Sequence, residues 1–211
     1  MVELSFDCSD VRPMRFAAGP TLQFRLHVAD ISRTEIHAIA LRCQIRIEPQ
    51  RRRYEPGESE LLESLFGDPS RWGQTLKPFQ FASVSVMVPS FTGACEVELE
   101  VPCSYDLEVA AGKYFHALRD GVVPMALLFS GTVFGKGERG FWIEQVPWHA
   151  EASYRMPVRV WGELMDRYFP ASSWIRLHRE TVDALLRYKA RHAIPTWDAA
   201  MDTLLAGEAE S

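Results

Sequence analysis

Four side chains in this sequence have the chemistry of a reactive centre: Cys103, His116, His149 and Glu151. Cys95 and Cys103 with His116 or His149 would suit zinc or nickel, and a cysteine beside a histidine base is the usual form of a nucleophilic thiol. His149 and Glu151 stand two residues apart, so in an extended segment they share a face and can form an acid–base or ligand pair. None of these spacings is diagnostic. His116 lies far along the helix that Cys103 precedes, which leaves that thiol without a base at a defensible spacing. The four cysteines, Cys8, Cys43, Cys95 and Cys103, contain no C-x-x-C pair. Cys43 and Cys95 fall on the inward phase of alternating segments, where a thiol packs as a small hydrophobe. Ser130-Gly131 resembles a fragment of a nucleophile elbow without the full G-x-S-x-G, and no phosphate loop or dinucleotide fingerprint is present. We therefore expect no catalytic residue, no cofactor and no metal. The alternative is a hydrolase or metal carrier in which Cys103, His116, His149 and Glu151 converge.

Binding is the stronger expectation. Trp142, Trp148, Trp161, Trp174 and Trp197, five of the 6 tryptophans, fall in the last third of the chain. Large aromatics dominate both cores and interface hot spots, and packing under C-terminal helices accounts for most of them. Trp148, Trp161, Trp174 and Trp197 form the candidate partner surface. Arg51-Arg52-Arg53-Tyr54, beside an acidic helix, reads as a solvated loop or as a receptor for an acidic peptide. A formal net charge of −5 disfavours nucleic acid as a partner, because three consecutive arginines do not make a basic groove. The first ten residues carry acids and no basic residue, unlike a secretory signal, and the longest apolar run, Val122 to Phe129, is far short of the ~20 residues that span a bilayer. These features predict a cytoplasmic protein with no membrane span.

The elements that would position such residues are mostly strands. Leu22, Phe24, Leu26 and Val28 alternate with Gln23, Arg25 and His27, and Ile39, Leu41, Cys43, Ile45 and Ile47 alternate with Arg42, Gln44 and Arg46. The short polar Asp30-Ile-Ser-Arg-Thr34 between them predicts a hairpin that pairs the two strands as neighbours. Pro56-Gly57 and Gly67-Asp68-Pro69 bracket a short helix over 58–66, with Leu61, Leu62, Leu65 and Phe66 as its apolar stripe. Further alternation marks Val84 to Val88 and Cys95 to Val101. Leu107, Ala110, Ala111, Tyr114, Phe115 and Leu118 recur at helical spacing and predict a helix over 104–118. The wholly apolar Val122 to Phe129 then suits a central strand buried on both faces, and a glycine-rich turn leads into a return strand over 141–146. Three helices should follow Pro157, the second near 179–192 and the third opening at Thr196.

The fold class is therefore α+β: an antiparallel β-sandwich of about seven strands, with one internal helix and a C-terminal helical region. Residues 1–155 are assigned to the sandwich, 156–206 to helices packed on it, and 207–211 to a flexible tail.

Phe66-Gly-Asp-Pro-Ser-Arg-Trp-Gly-Gln-Thr-Leu76, Val101-Pro-Cys-Ser-Tyr-Asp106, Lys113-Tyr-Phe-His-Ala-Leu118, Leu128-Phe-Ser-Gly-Thr-Val-Phe134 and Val146-Pro-Trp148 together resemble a bacterial family of no established activity, over nearly the whole chain. The resemblance implies a gene neighbourhood shared with nickel-iron uptake hydrogenases and supplies no functional residues. The later order of a helix, Tyr168-Phe-Pro170 and Glu180-Thr-Val-Asp-Ala-Leu185 is similar to the end of the tetrameric bacterial export chaperone. The expected role is a non-catalytic interaction protein, an accessory or assembly factor for a hydrogenase, with a holding chaperone as the alternative.

Overall fold

Leu22, Phe24, Leu26 and Val28 are all fully buried, so the alternation of β2 (Thr21–Asp30) makes a strand with one dry face. The structure, a computed structural model, describes residues 2–103, 111–137, 140–170 and 177–209. Strand β2 lies between β1 (Leu4–Pro13) and β6 (Ala94–Pro102) in a three-stranded antiparallel sheet. Its outward face is charged, and Arg25 donates across the register to Glu98 at 3.1 Å.

The second sheet is six-stranded and also antiparallel. Its order is β4 (Phe79–Val88), β3 (Glu35–Ile47), β7 (Val122–Gly137), β8 (Gly140–Gln145); the short β5 (Phe91–Thr92) also pairs with β3, and β9 (Glu151–Pro157) with β7. Strand β7 carries β3 along one edge, and β9 and then β8 along the other. The two sheets share one apolar core, bridged by Phe6 of β1 stacked on Phe129 of β7 with centroids 4.3 Å apart. This is the expected α+β, antiparallel two-sheet architecture with helices.

Two details differ from the sequence reading. Strands β2 and β3 are not neighbours, because both edges of β2 are taken by β1 and β6, and the chain passes from one sheet to the other at 30–34. Asp30 holds that crossing: its carboxylate accepts the N–H groups of Glu3, Ser32 and Thr34 and the Ser32 hydroxyl. Burial works against its ionisation, but these bonds together keep the carboxyl below the usual range. The second difference lies in β7, which is central by its edges and not by both faces. Val123, Met125, Leu127 and Phe129 point into the core, while Ala126 and Leu128 on the other phase are only half-buried. Pro124, which lacks an N–H, lies within this strand and its carbonyl accepts the Glu48 N–H at 2.9 Å.

Helix α1 (Pro56–Phe66) has proline in its first turn and a capping box between Glu55 and Glu58. Leu62 is fully buried, whereas Leu61, expected in the same stripe, is 53% exposed; the buried Glu58 holds the helix by polar contacts instead. After the short α2 (Trp72–Thr75), the segment 104–118, expected as one helix, is described only from Ala111 onward, with α3 (Lys113–Ala117) inserting Tyr114 and Phe115 into the core; residues 104–110 lie outside the described residues. Tyr54 donates to the Pro49 carbonyl at 2.8 Å, so its 2.9 Å contact with Tyr114 is a bond donated by Tyr114. Helix α4 (Val158–Tyr168) buries Val158, Val160, Trp161 and Leu164, and Tyr168 donates to the Ala17 carbonyl at 3.0 Å.

The chain divides into two compact units, Met1–Pro170 and Ala171–Ser211, so α4 belongs with the sheets. In the second unit, α5 (Arg179–Arg191) and α6 (Trp197–Ala209) are joined at a turn where Lys189 donates to the Pro195 carbonyl at 2.8 Å. Thr196 Oγ1 accepts the Ala199 N–H as the expected cap, and the helix continues through Gly207. Of its apolar residues Ala200 is buried, while Leu204 and Leu205 are 40% and 66% exposed.

Candidate interaction site

Cross-strand register decides which side chains meet on the outer face of the six-stranded sheet. Phe134 of β7 lies opposite Ala38 of β3 and Ile143 of β8, Ala40 lies opposite Met87 of β4, and Lys136 lies opposite Phe141. Paired residues point the same way, so Met87, Ala38, Ala40, Phe134, Ile143 and Phe141 form a continuous apolar strip at one end of this face. Met87 is 62% exposed, Phe141 72% and Ile143 64%. His37 edges toward the Phe141 ring with centroids 6.0 Å apart. Toward the other end the same face is polar, with Arg42 donating to Ser83 at 3.2 Å and Gln44 to Gln80 at 2.9 Å. Strand β8 is a short edge strand with Phe141 and Ile143 exposed.

The tryptophans of the expected partner surface separate. Trp148, 94% exposed, stands in the turn between β8 and β9, with its ring at the edge of His149. Trp161 is 7% exposed and stacks on Phe115 at 4.5 Å and 10°, so it belongs to the core and not to a surface: its position on the inward stripe of α4 fixes that. Trp174 lies outside the described residues. Trp197 is 43% exposed and receives Lys189 over its ring at 5.5 Å.

The possible reactive residues are spread as follows. Cys103 is buried after β6, its thiol donating to the Val101 carbonyl at 3.5 Å. His116 points outward from α3, while His149 and Glu151 are both exposed, the first in a turn and the second opening β9 opposite Leu128. Among the described residues no group of three or more histidine, cysteine or acidic side chains is placed to hold a metal ion. Ser130 is exposed on the polar part of the sheet, opposite Arg42.

Cys8 and Cys43 face the core. Burial raises the Cys8 thiol to about 12, helped by the nearby Asp7 and Asp10 and opposed by its bond to the Asp10 carbonyl; burial raises Cys43 to about 12 as well. At pH 8 only about one such thiol in 10⁴ is ionised, so neither should react with iodoacetamide in the folded protein, and both should label in urea. Rapid labelling of either without denaturant would show that the core opens locally. Because the unfolded thiols ionise near pH 9 and the folded ones do not, these two groups should also make stability fall as pH rises above about 9.

The apolar strip was not evident beforehand. Its signal is that Phe141-Trp142-Ile143 offers no polar phase, although a strand with one wet face ordinarily alternates apolar and polar residues. Trp142 fills the inner phase, over Gly135; the outer phase remains uncovered.

These observations define an antiparallel two-sheet α+β protein with an uncovered apolar edge region. The chain belongs to the family of unknown function DUF6084, whose model matches residues 1–211. A comparison with curated proteins finds no match. Among solved structures, the chain is similar to a late embryogenesis abundant protein at 12% identity and a TM-score of 0.31, covering 74% of this chain and 70% of that one. It is also similar to the β-glucosidase of Kluyveromyces marxianus (6% identity, TM-score 0.26, covering 74% of this chain and 15% of the enzyme). For β-glucosidase 3B of Thermotoga neapolitana the values are 10%, 0.25, 73% and 17%. No helix among the described residues is long and apolar enough to cross a membrane.

Proposed function

We propose that this chain is a cytoplasmic, non-catalytic interaction protein that binds a protein partner through the apolar strip of the six-stranded sheet, as an accessory or assembly factor for a nickel-iron hydrogenase. The observation that supports a binding role is the strip itself: Met87, Phe141 and Ile143, each more than 60% exposed and contiguous with Phe134 across paired strands. Isolated exposed apolar residues are ordinary, but a continuous set on a rigid sheet marks an interface. The hydrogenase setting rests on the family resemblance and supplies the partner to try first.

The test is co-purification of tagged chain with hydrogenase components from the native host, using wild type and the double variant Phe141→Asp/Ile143→Asp. Both substituted side chains are solvent-facing, so the variant should keep its thermal midpoint to within a few degrees. Retention of a hydrogenase component by wild type and its loss from the variant is the expected result. If wild type retains none, the hydrogenase role is wrong; if both retain it equally, the surface is wrong. Suppression of aggregation of unrelated unfolded proteins by wild type would favour the holding chaperone instead.

A further inference from the structure

On a different part of the first unit, the run Arg51-Arg52-Arg53 does not form a solvated loop alone. Arg52 turns inward, its side chain 8% exposed, and donates to Glu58 at 2.7 Å and to the carbonyls of Asp120 and Val122 at 2.7 and 3.0 Å. Arg51 pairs with Glu48 at 3.0 Å. Around them opens a cavity of about 570 Å³ whose wall also carries Arg53, Arg119 from the turn before β7, and Arg155 from β9. Five arginines thus line a cavity with three carboxylates, in a chain whose net charge is −5. Of the three acids, Glu58 is already neutralised: Arg52 and the N–H groups of Arg119 and Glu55 all donate to it.

The guanidinium groups of Arg53, Arg119 and Arg155 make no ion pair or hydrogen bond with the described residues. Arg119 lies across the first turn of α1, its Nη2 3.1 Å from where a Cβ on Gly57 would stand, so its charge adds to the positive end of the helix. The Nε of Arg52, beside the cavity, is buried and has no hydrogen-bond partner among the described residues, a donor that costs free energy while it is left unpaired.

We propose that this cavity binds a small organic or inorganic anion carrying more than one phosphate or carboxylate group. Guanidinium forks match the paired oxygens of either group, and three of them converging on one space favour a multiply charged ligand over a single carboxylate. The volume lies within the range of small-molecule sites, and the basic residues gather in one cavity instead of a stripe, which sets this site apart from a nucleic-acid groove. The site is independent of the apolar strip, so either proposal can fail alone.

Isothermal titration calorimetry of the full chain with tripolyphosphate and with citrate, at constant ionic strength, tests the proposal. One of the two should bind with one-to-one stoichiometry, and the stronger tells phosphate from carboxylate. Arg119→Ala and Arg155→Ala should each weaken it about tenfold or more, while Arg12→Ala on the outer face of the three-stranded sheet should leave it unchanged. Circular dichroism checks that each variant is folded, and Arg53→Ala, exposed and loop-borne, serves if either of the first two is not. Absence of binding by both anions, or binding that the cavity variants and Arg12→Ala weaken alike, overturns the proposal.

Discussion

Gly131→Ala should cost at least about 3 kcal/mol and leave much of the protein unfolded at physiological temperature. Gly131 sits within β7 at a φ of +150°, where an added Cβ would stand well inside contact distance of the Ala40 carbonyl oxygen on the neighbouring strand. The obstacle is backbone, so no side-chain rotation relieves it. The site is also the point where the outer edge of β7 passes from β9 to β8, and the Gly131 carbonyl accepts the Val146 N–H at 2.9 Å. A methyl group here would push β3 from β7 at the centre of the larger sheet. Gly73→Ala, with nothing within 4 Å of its Cβ, is the matched control and should be neutral or slightly stabilising. Urea denaturation followed by tryptophan fluorescence compares the two. A loss under about 1 kcal/mol at Gly131 would mean that the strands separate locally without strain in the core.

The second large effect concerns the ion pair of Arg52 with Glu58, whose side chains are 8% and 3% exposed. Arg52→Ala or Glu58→Ala should each destabilise by about 3–5 kcal/mol, because each leaves a buried charge without its counterpart. The loss includes more than Coulomb attraction. Arg52 ties the carbonyls of the 120–122 turn to the start of α1, and Glu58 closes the capping box of that helix while accepting the Arg119 N–H. The double variant Arg52→Met/Glu58→Leu should therefore lose much less than the sum of the single alanine variants. A double-mutant cycle in denaturant measures the coupling, and additivity of the two alanine substitutions would show that the pair contributes nothing of its own.

Local pattern was enough for strand identity, since the residues that alternate in β2, β3 and β6 are those whose side chains the core takes up. Besides the two-residue β5, two strands escaped it for physical reasons. In β1 a bulge between Cys8 and Asp10 shifts the inward phase from Leu4 and Cys8 to Val11, which breaks the two-residue period that marks a strand. In β9 the inward residues are only Ala152, Tyr154 and Met156, a run too short and too mixed to stand out. Pairing was beyond the sequence: alternation tells which face of a strand is dry but not which strand lies beside it, so β2 and β3 were expected as a hairpin although they lie in different sheets.

The same division holds for the sites. Residue types alone determined that the chain carries no recognised catalytic motif and that its helices and strands must form a mixed fold. Tertiary structure alone decided that Trp161 is core while Trp148 is exposed, because that depends on which elements pack against each ring. It also decided that Arg52 faces inward and meets Glu58, Asp120 and Val122, which lie 6, 68 and 70 positions away, and that Met87 shares one strip with Phe134 and Ile143. Contacts 6, 68 and 70 residues apart are set by strand register and loop closure, which no local pattern records.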